Sequence, residues 1–283
     1  MFSGFMEKLV AGRWIAGPNV DDVIERGRRF NKLGIGSIMN YLGEALTDQK
    51  DINDAMDNYR EILRKVKKGD PLTQISVKPT QIGLSVSLDM AEKNFSEIVR
   101  LAGEKEIFVW VDMEESNLVD QTIELYQSQL PNRNIGLCVQ AYLRRTPQDV
   151  KNLTEKGGTV RLVKGAYTEP ENVAFKSKED IDRNYVEIMT YLFDNAERFM
   201  IASHDDKIIE KAREINKEKK KDVWYAMLNG IRNQYLIQLQ KDGEKAFSYI
   251  PFGKKWIQYS VRRMQEAGHM SLLMKSIIHG QKI

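Results

Sequence analysis

The sequence predicts an α/β protein, a (β/α)8 barrel of the TIM type, and three observations carry that expectation. Eight short runs rich in β-branched and aromatic residues alternate with amphipathic stretches of helical period. Their starts lie about 30 residues apart on average, the length of one βα unit, so every gap can hold a crossover helix. Polar residues close the runs, and barrel enzymes place their chemistry at the C-terminal ends of their strands. No G-x-G-x-x-G follows the first run, which weighs against a doubly wound dinucleotide-binding sheet.

Residues 1–33 read as a helical extension preceding the first strand. The runs begin near Ile35 (IGSIMNYLGE), Thr73 (TQISVK), Ile107 (IFVWVDME), Ile135 (IGLCVQAY), Val160 (VRLVKGAY), Arg198 (RFMIASH), Val223 (VWYAMLNG) and Lys245 (KAFSYIPFG). Between them, Asp51 to Lys68 carries Ile52, Met56, Tyr59, Leu63 and Val66 at helical spacing and is stopped by Gly69-Asp70-Pro71. Asn117 to Gln129 and Asp180 to Asn195 are further helices, and Thr168 to Glu179 is a polar loop. Glu44, Lys78, Asp112, Gln140, Arg161, Lys164, His204, Asn229 and Tyr249 end or follow the runs. A barrel with only a structural task would not need that ring of polar groups.

The 283 residues therefore form one catalytic barrel with a short tail at 270–283, rather than the two domains that length alone suggests. With 43 Lys+Arg against 40 Asp+Glu the net charge is +3, too weak a field to gather nucleic acid. The run Lys217 to Lys221 is a solvated helix end without an aromatic stacking platform. One cysteine, Cys138, excludes an internal disulfide and any metal site built from several thiolates, and no metal is expected. It sits among apolar residues and reads as buried packing. Glu7, Lys8 and Arg13 interrupt the first apolar stretch, and no run reaches about 18 apolar residues, so a cytoplasmic protein with at most a peripheral contact at the inner face of a membrane is expected.

The heptapeptide RLVKGAY, residues 161–167, resembles the signature of the FAD-dependent proline dehydrogenases. The resemblance extends in order through YLGEA at 41–45, SVK at 76–78, VDMEES at 111–116, VQAY at 139–142, ASHD at 202–205, MLNGIR at 227–232, YIPFG at 249–253 and the stretch Tyr259 to Glu266. It covers residues 35–266 and is similar to the proline dehydrogenase portion of the bifunctional proline-catabolic enzymes. It implies a distorted barrel with its last helix over the strand ends, FAD across the mouth, and oxidation of L-proline to 1-pyrroline-5-carboxylate by hydride transfer to flavin N5. Electrons then pass to a quinone or another acceptor, and a separate pyrroline-5-carboxylate dehydrogenase takes the product. Two other readings stand beside this one: oxidation of a related ring such as hydroxyproline, or a non-catalytic barrel subunit of a larger complex.

Site residues follow from the resemblance and make chemical sense. A small carboxylate needs forked donors, and Arg262 and Arg263 supply two guanidiniums. An arbitrary Arg-Arg pair is an ordinary basic helix face, but Tyr259, Arg262, Arg263 and Glu266 recur at helical offsets and make one polar stripe. The resemblance assigns both arginines to the carboxylate, with Lys78 as a third cation and Glu44 and Glu266 as their counter-charges. Tyr249 packs on the proline ring, Tyr167 lines the same pocket, and Leu228 forms an apolar wall. Arg161 approaches flavin N5 and Gln140 its carbonyl edge; Met113, Val163, Lys164, Gly165, Ala166, Ser203 and His204 contact the cofactor. Asp112 holds the cations in place and is the first candidate to accept the amine proton. His269 and His279 receive no role.

Departures from the family pattern cluster at one end of this site. Asp205 replaces an amide, Ser177 stands for an arginine, and Trp224 and Ala226 replace polar residues, so a weaker hold on the adenosine end of FAD is expected.

Overall fold

The structure is a computed structural model, and it describes residues 14–254. Tyr259, Arg262, Arg263 and Glu266, the tail from residue 270 and residues 1–13 lie outside the described residues.

Helix α1 (Val20–Asn31) precedes eight strands: β1 (Gly36–Tyr41), β2 (Thr73–Val77), β3 (Phe108–Val111), β4 (Ile135–Gln140), β5 (Thr159–Val163), β6 (Arg198–Ala202), β7 (Asp222–Leu228) and β8 (Lys245–Phe252). They pair in parallel in chain order and close, β8 returning to β1 with Ile38 opposite Tyr249. Each strand begins within one residue of its predicted start. The intervening helices are α2 (Gln49–Lys65), α3 (Leu88–Lys105), α4 (Val119–Gln127), α5 (Thr146–Glu155), α6 (Lys178–Asn195), α7 (Asp206–Lys219) and α8 (Asn233–Lys241).

Local chemistry sets the helix ends. Asp48 caps α2 by accepting from Lys50 N at 2.7 Å, and Val66, in an extended conformation, ends it before the predicted Lys68. Ser87 caps α3. Ser177 caps α6 by accepting from Asp180 N at 3.0 Å, which starts that helix two residues before the predicted Asp180. The stretch predicted as one helix from Asn117 opens instead as a 3-10 turn, Ser116–Leu118, because the Glu169 carboxylate takes both the amide and the hydroxyl of Ser116.

Helix α1 buries Val20, Val23, Ile24, Gly27 and Phe30 against β1 and β8. It fills the groove over the β1 and β8 seam. A short arm ahead of α1 ties the ends of β7 and β8 together at the mouth: Ala16 N donates to Pro251 O and Gly253 N to Gly17 O, both at 2.9 Å, and Asn229 Nδ2 donates to Trp14 O at 2.8 Å.

The lower lumen is an aromatic floor of Phe108, Trp110, Trp224 and Phe247, with ring centroids 4.9 to 6.1 Å apart. It fits because Gly36 and Gly136 carry no side chain; a Cβ there would come within 2.2 Å of Phe247 and 2.4 Å of Trp110. Trp224, a departure from the family pattern, belongs to this floor, with Ala226 beside it in the same apolar cluster. The site stands on a closely packed aromatic base.

Candidate active site

Four predicted residues from four strands meet above the floor. Arg161, at mid-strand in β5 and 3% exposed, sends Nη2 to Asp112 Oδ1, and its guanidinium carbon lies 5.1 Å over the Trp110 ring and 5.5 Å from the Tyr249 ring. Asp112, just past β3, also accepts from Ser76 Oγ at 2.6 Å and from Tyr249 OH at 2.7 Å, and Lys78 Nζ lies 3.6 Å from its Oδ2. Burial alone would raise the Asp112 pKa, but Arg161, Lys78 and two hydroxyl donors hold it below the ordinary carboxylate range. Burial likewise opposes the charge on Lys78, and Tyr167, Asp112 and Glu114 outweigh it and raise its pKa. Tyr249, buried beside an anion, is held far above the usual phenol range and stays a donor.

Both oxygens of Asp112 are bonded and its basicity is low. The carboxylate is thus an anion whose oxygens are taken up by the protein's own donors. It joins two cations from β2 and β5 into one field and leaves their remaining donors for an incoming anion.

Glu44 comes near this group through Tyr167, whose hydroxyl lies 3.5 Å from Glu44 Oε2. Leu228, at the end of β7, is half-buried, and its amide N–H donates to Nε2 of His204 at 3.4 Å. Gln140 ends β4, and its amide nitrogen donates to Glu114 O at 2.8 Å. Met113 packs its side chain into the core between barrel and helices. The carbonyls of Val163 and Lys164 accept from Ala141 N and Tyr142 N.

Lys164 enters a second cluster. Its ammonium meets Asp182 on α6 and Asp205 at 2.9 Å, and Lys178 meets the same two carboxylates. Asp205 also caps α7 by accepting from Lys207 N, and its own amide donates to Ser203 Oγ. An isolated carboxylate here would repel a phosphate; this one is balanced by two lysines. Gly165 has φ +117°, and a Cβ on it would come 2.1 Å from Tyr142 Cδ1. Left-handed backbone and the Tyr142 ring both require glycine at this position. Ala166 beside it is exposed.

Sequence reasoning missed several participants. Ser76 bridges Asp112 and Arg161, and lay unassigned within the SVK run. Glu114 lay unassigned within VDMEES, and Asp182 had only its helical spacing from Lys178 as a signal. Arg232 donates to His204 O at 2.8 Å and pairs with Asp206 at 2.6 Å, which local pattern does not show.

The donor set suits FAD: cations and amides gather on the strand ends of β2, β4 and β5, one side of the mouth, and Lys164 keeps a third donor beyond its two carboxylates. Among the described residues no cluster of metal-ligating side chains occurs, and no helix is long and apolar enough to cross a membrane.

A closed parallel barrel with charged side chains converging at its strand ends is the architecture of a barrel enzyme. The chain belongs to the proline dehydrogenase family, whose model matches residues 23–276. It is 30% identical over 276 residues to proline dehydrogenase 2 of Bacillus subtilis (strain 168), covering 93% of this chain and 91% of that protein. To the proline dehydrogenase of Deinococcus radiodurans it is 27% identical over 266 residues, 91% of this chain and 86% of the relative. Among solved structures, proline utilization A (PutA) from Bdellovibrio bacteriovorus inactivated by N-propargylglycine superposes with a TM-score of 0.85 at 24% identity, covering 99% of this chain and 35% of that one. The chain thus spans about a third of that larger protein and shares its barrel fold.

Proposed function

We propose that this chain oxidises L-proline to 1-pyrroline-5-carboxylate with FAD, passes the electrons to a quinone-type acceptor and releases its product to a separate pyrroline-5-carboxylate dehydrogenase. The observation that carries this reading is the convergence of Lys78, Asp112, Arg161 and Tyr249 on the aromatic floor, within a chain of the proline dehydrogenase family.

FAD, when bound, supplies the hydride acceptor. Lys78, with Arg262 and Arg263, holds the substrate carboxylate, and Asp112 keeps Lys78 and Arg161 oriented toward it. Tyr249 and Leu228 face the ring and exclude water. Lys78 and Arg161 disfavour a protonated amine next to them, which promotes the neutral form that oxidation requires. Arg161, Gln140, Lys164 and the His204 imidazole are the groups available to the flavin and its phosphates.

Anaerobic addition of L-proline to the purified yellow protein should bleach the flavin absorbance. A protein that takes up no FAD and shows no spectral change with proline would reject the reading. Arg262→Met and Arg263→Met should each raise the proline concentration needed by more than about 10-fold while FAD stays bound; unchanged proline dependence in both would remove them from the clamp.

A further inference from the structure

Two residues beyond Asp112, Glu114 is 3% exposed and touches none of the groups assigned to substrate or cofactor by hydrogen bond except through its backbone. Its carboxylate closes on one residue of another loop: Oε2 accepts from Thr80 N at 3.0 Å and Oε1 bonds Thr80 Oγ1 at 2.7 Å. Thr80 sits in the 3-10 turn Pro79–Gln81 that follows Lys78 directly. Its hydroxyl also accepts from Ala45 N at 2.8 Å and its carbonyl from Leu46 N at 3.1 Å, so the loop that follows β1 and bears Glu44 hangs on the same residue. The Glu114 carbonyl takes the amide of Gln140. One side chain therefore sets the relative positions of loops after β1, β2 and β3, and its backbone adds the end of β4.

We propose that Glu114 is a positioning residue for the substrate clamp: by holding Thr80 it fixes the turn that presents Lys78 and, through Ala45, the loop that presents Glu44. The inference rests on the reading of Lys78 as a carboxylate-binding group. Buried carboxylates are costly and persist where their bonds define geometry. Here both oxygens serve a single residue, an arrangement that fixes a turn in orientation as well as in distance. Burial pushes the Glu114 carboxyl up, against Lys78 and the Thr80 donors.

The test separates the hydroxyl from packing. In the FAD-loaded protein, Thr80→Val removes the hydroxyl at equal volume and keeps the amide bond, whereas Thr80→Ser keeps both. Thr80→Val should raise KM for L-proline about 10-fold with its effect on kcat within about twofold, Thr80→Ser should restore KM, and Glu114→Gln should fall between them. Circular dichroism and flavin content confirm that each variant is folded and loaded. Wild-type KM in both Thr80→Val and Glu114→Gln, or a Thr80→Ser variant as impaired as Thr80→Val, overturns the proposal while leaving the proline reading intact. A wild-type protein that does not oxidise proline overturns both.

Discussion

The hydroxyl of Tyr249 donates to Oδ2 of Asp112 at 2.7 Å, linking β8 to the end of β3 across the barrel lumen. The two strands are not neighbours in the sheet, so the contact braces the mouth from within. It also explains why Asp112 stays ionised while buried: a phenol, a serine hydroxyl, a guanidinium and an ammonium surround it.

Removing that anion leaves Arg161 and Lys78 buried beside each other. Asp112→Ala should therefore destabilise the fold by about 3–5 kcal/mol, the usual cost of breaking a buried pair from one side. Urea denaturation measures it, and an unchanged midpoint would mean that the cluster contributes little to stability.

Asp112 and Glu114 share a strand end, and their pKa values are displaced in opposite directions. The Asp112 pKa is depressed in the folded state, so its contribution is present above the unfolded value of about 3.9 and disappears as pH falls through the folded pKa. That of Glu114 is raised, so its contribution is full below about 4.3 and is lost as pH rises through the folded pKa. In denaturation curves from about pH 3 to pH 8, the deficit of Asp112→Asn should be largest near neutrality, and that of Glu114→Gln largest in acid. Parallel deficits across the range would contradict these shifts.

Asp205 competes with any anionic cofactor for Lys164. Asparagine retains the α7 cap while removing the charge. Asp205→Asn should bind FAD about threefold more tightly, in line with the modest strength of a half-exposed ion pair. Quenching of FAD fluorescence on titration with apoprotein reads this directly, and equal or weaker affinity would show that the pair leaves Lys164 fully available.

Gly165 tolerates no side chain. Its φ of +117° and the Tyr142 ring together should make Gly165→Ala lose about 2–4 kcal/mol. Thermal unfolding followed by circular dichroism checks the loss, which should appear with or without FAD.

The barrel was legible because strands buried on both faces leave continuous apolar runs, and because helices between them keep their period. Residues at the ends of those runs were found for the same reason: Lys78, Asp112, Arg161 and Tyr249 all close or interrupt one. What stayed hidden depends on contacts between loops far apart in the chain. The Glu169 bond that reshapes the start of α4 spans 53 residues, and Thr80 meets Glu114 across 34. No local pattern records such partners, and the same holds for the lysines that neutralise Asp205. For Asp205 and Gly165 the protein neighbours add what local pattern could not: two lysines beside the carboxylate, and the Tyr142 ring against the glycine.

The position of α1 over the β1 and β8 seam has a consequence for how the molecule comes into being. The first strand waits for the last, and the arm at residues 14–17 waits for Pro251 and Gly253. The barrel closes only once β8 has been made, and β1 keeps a free hydrogen-bonding edge until then. Helix α1 completes its own burial at the same step, because its apolar face rests on both strands.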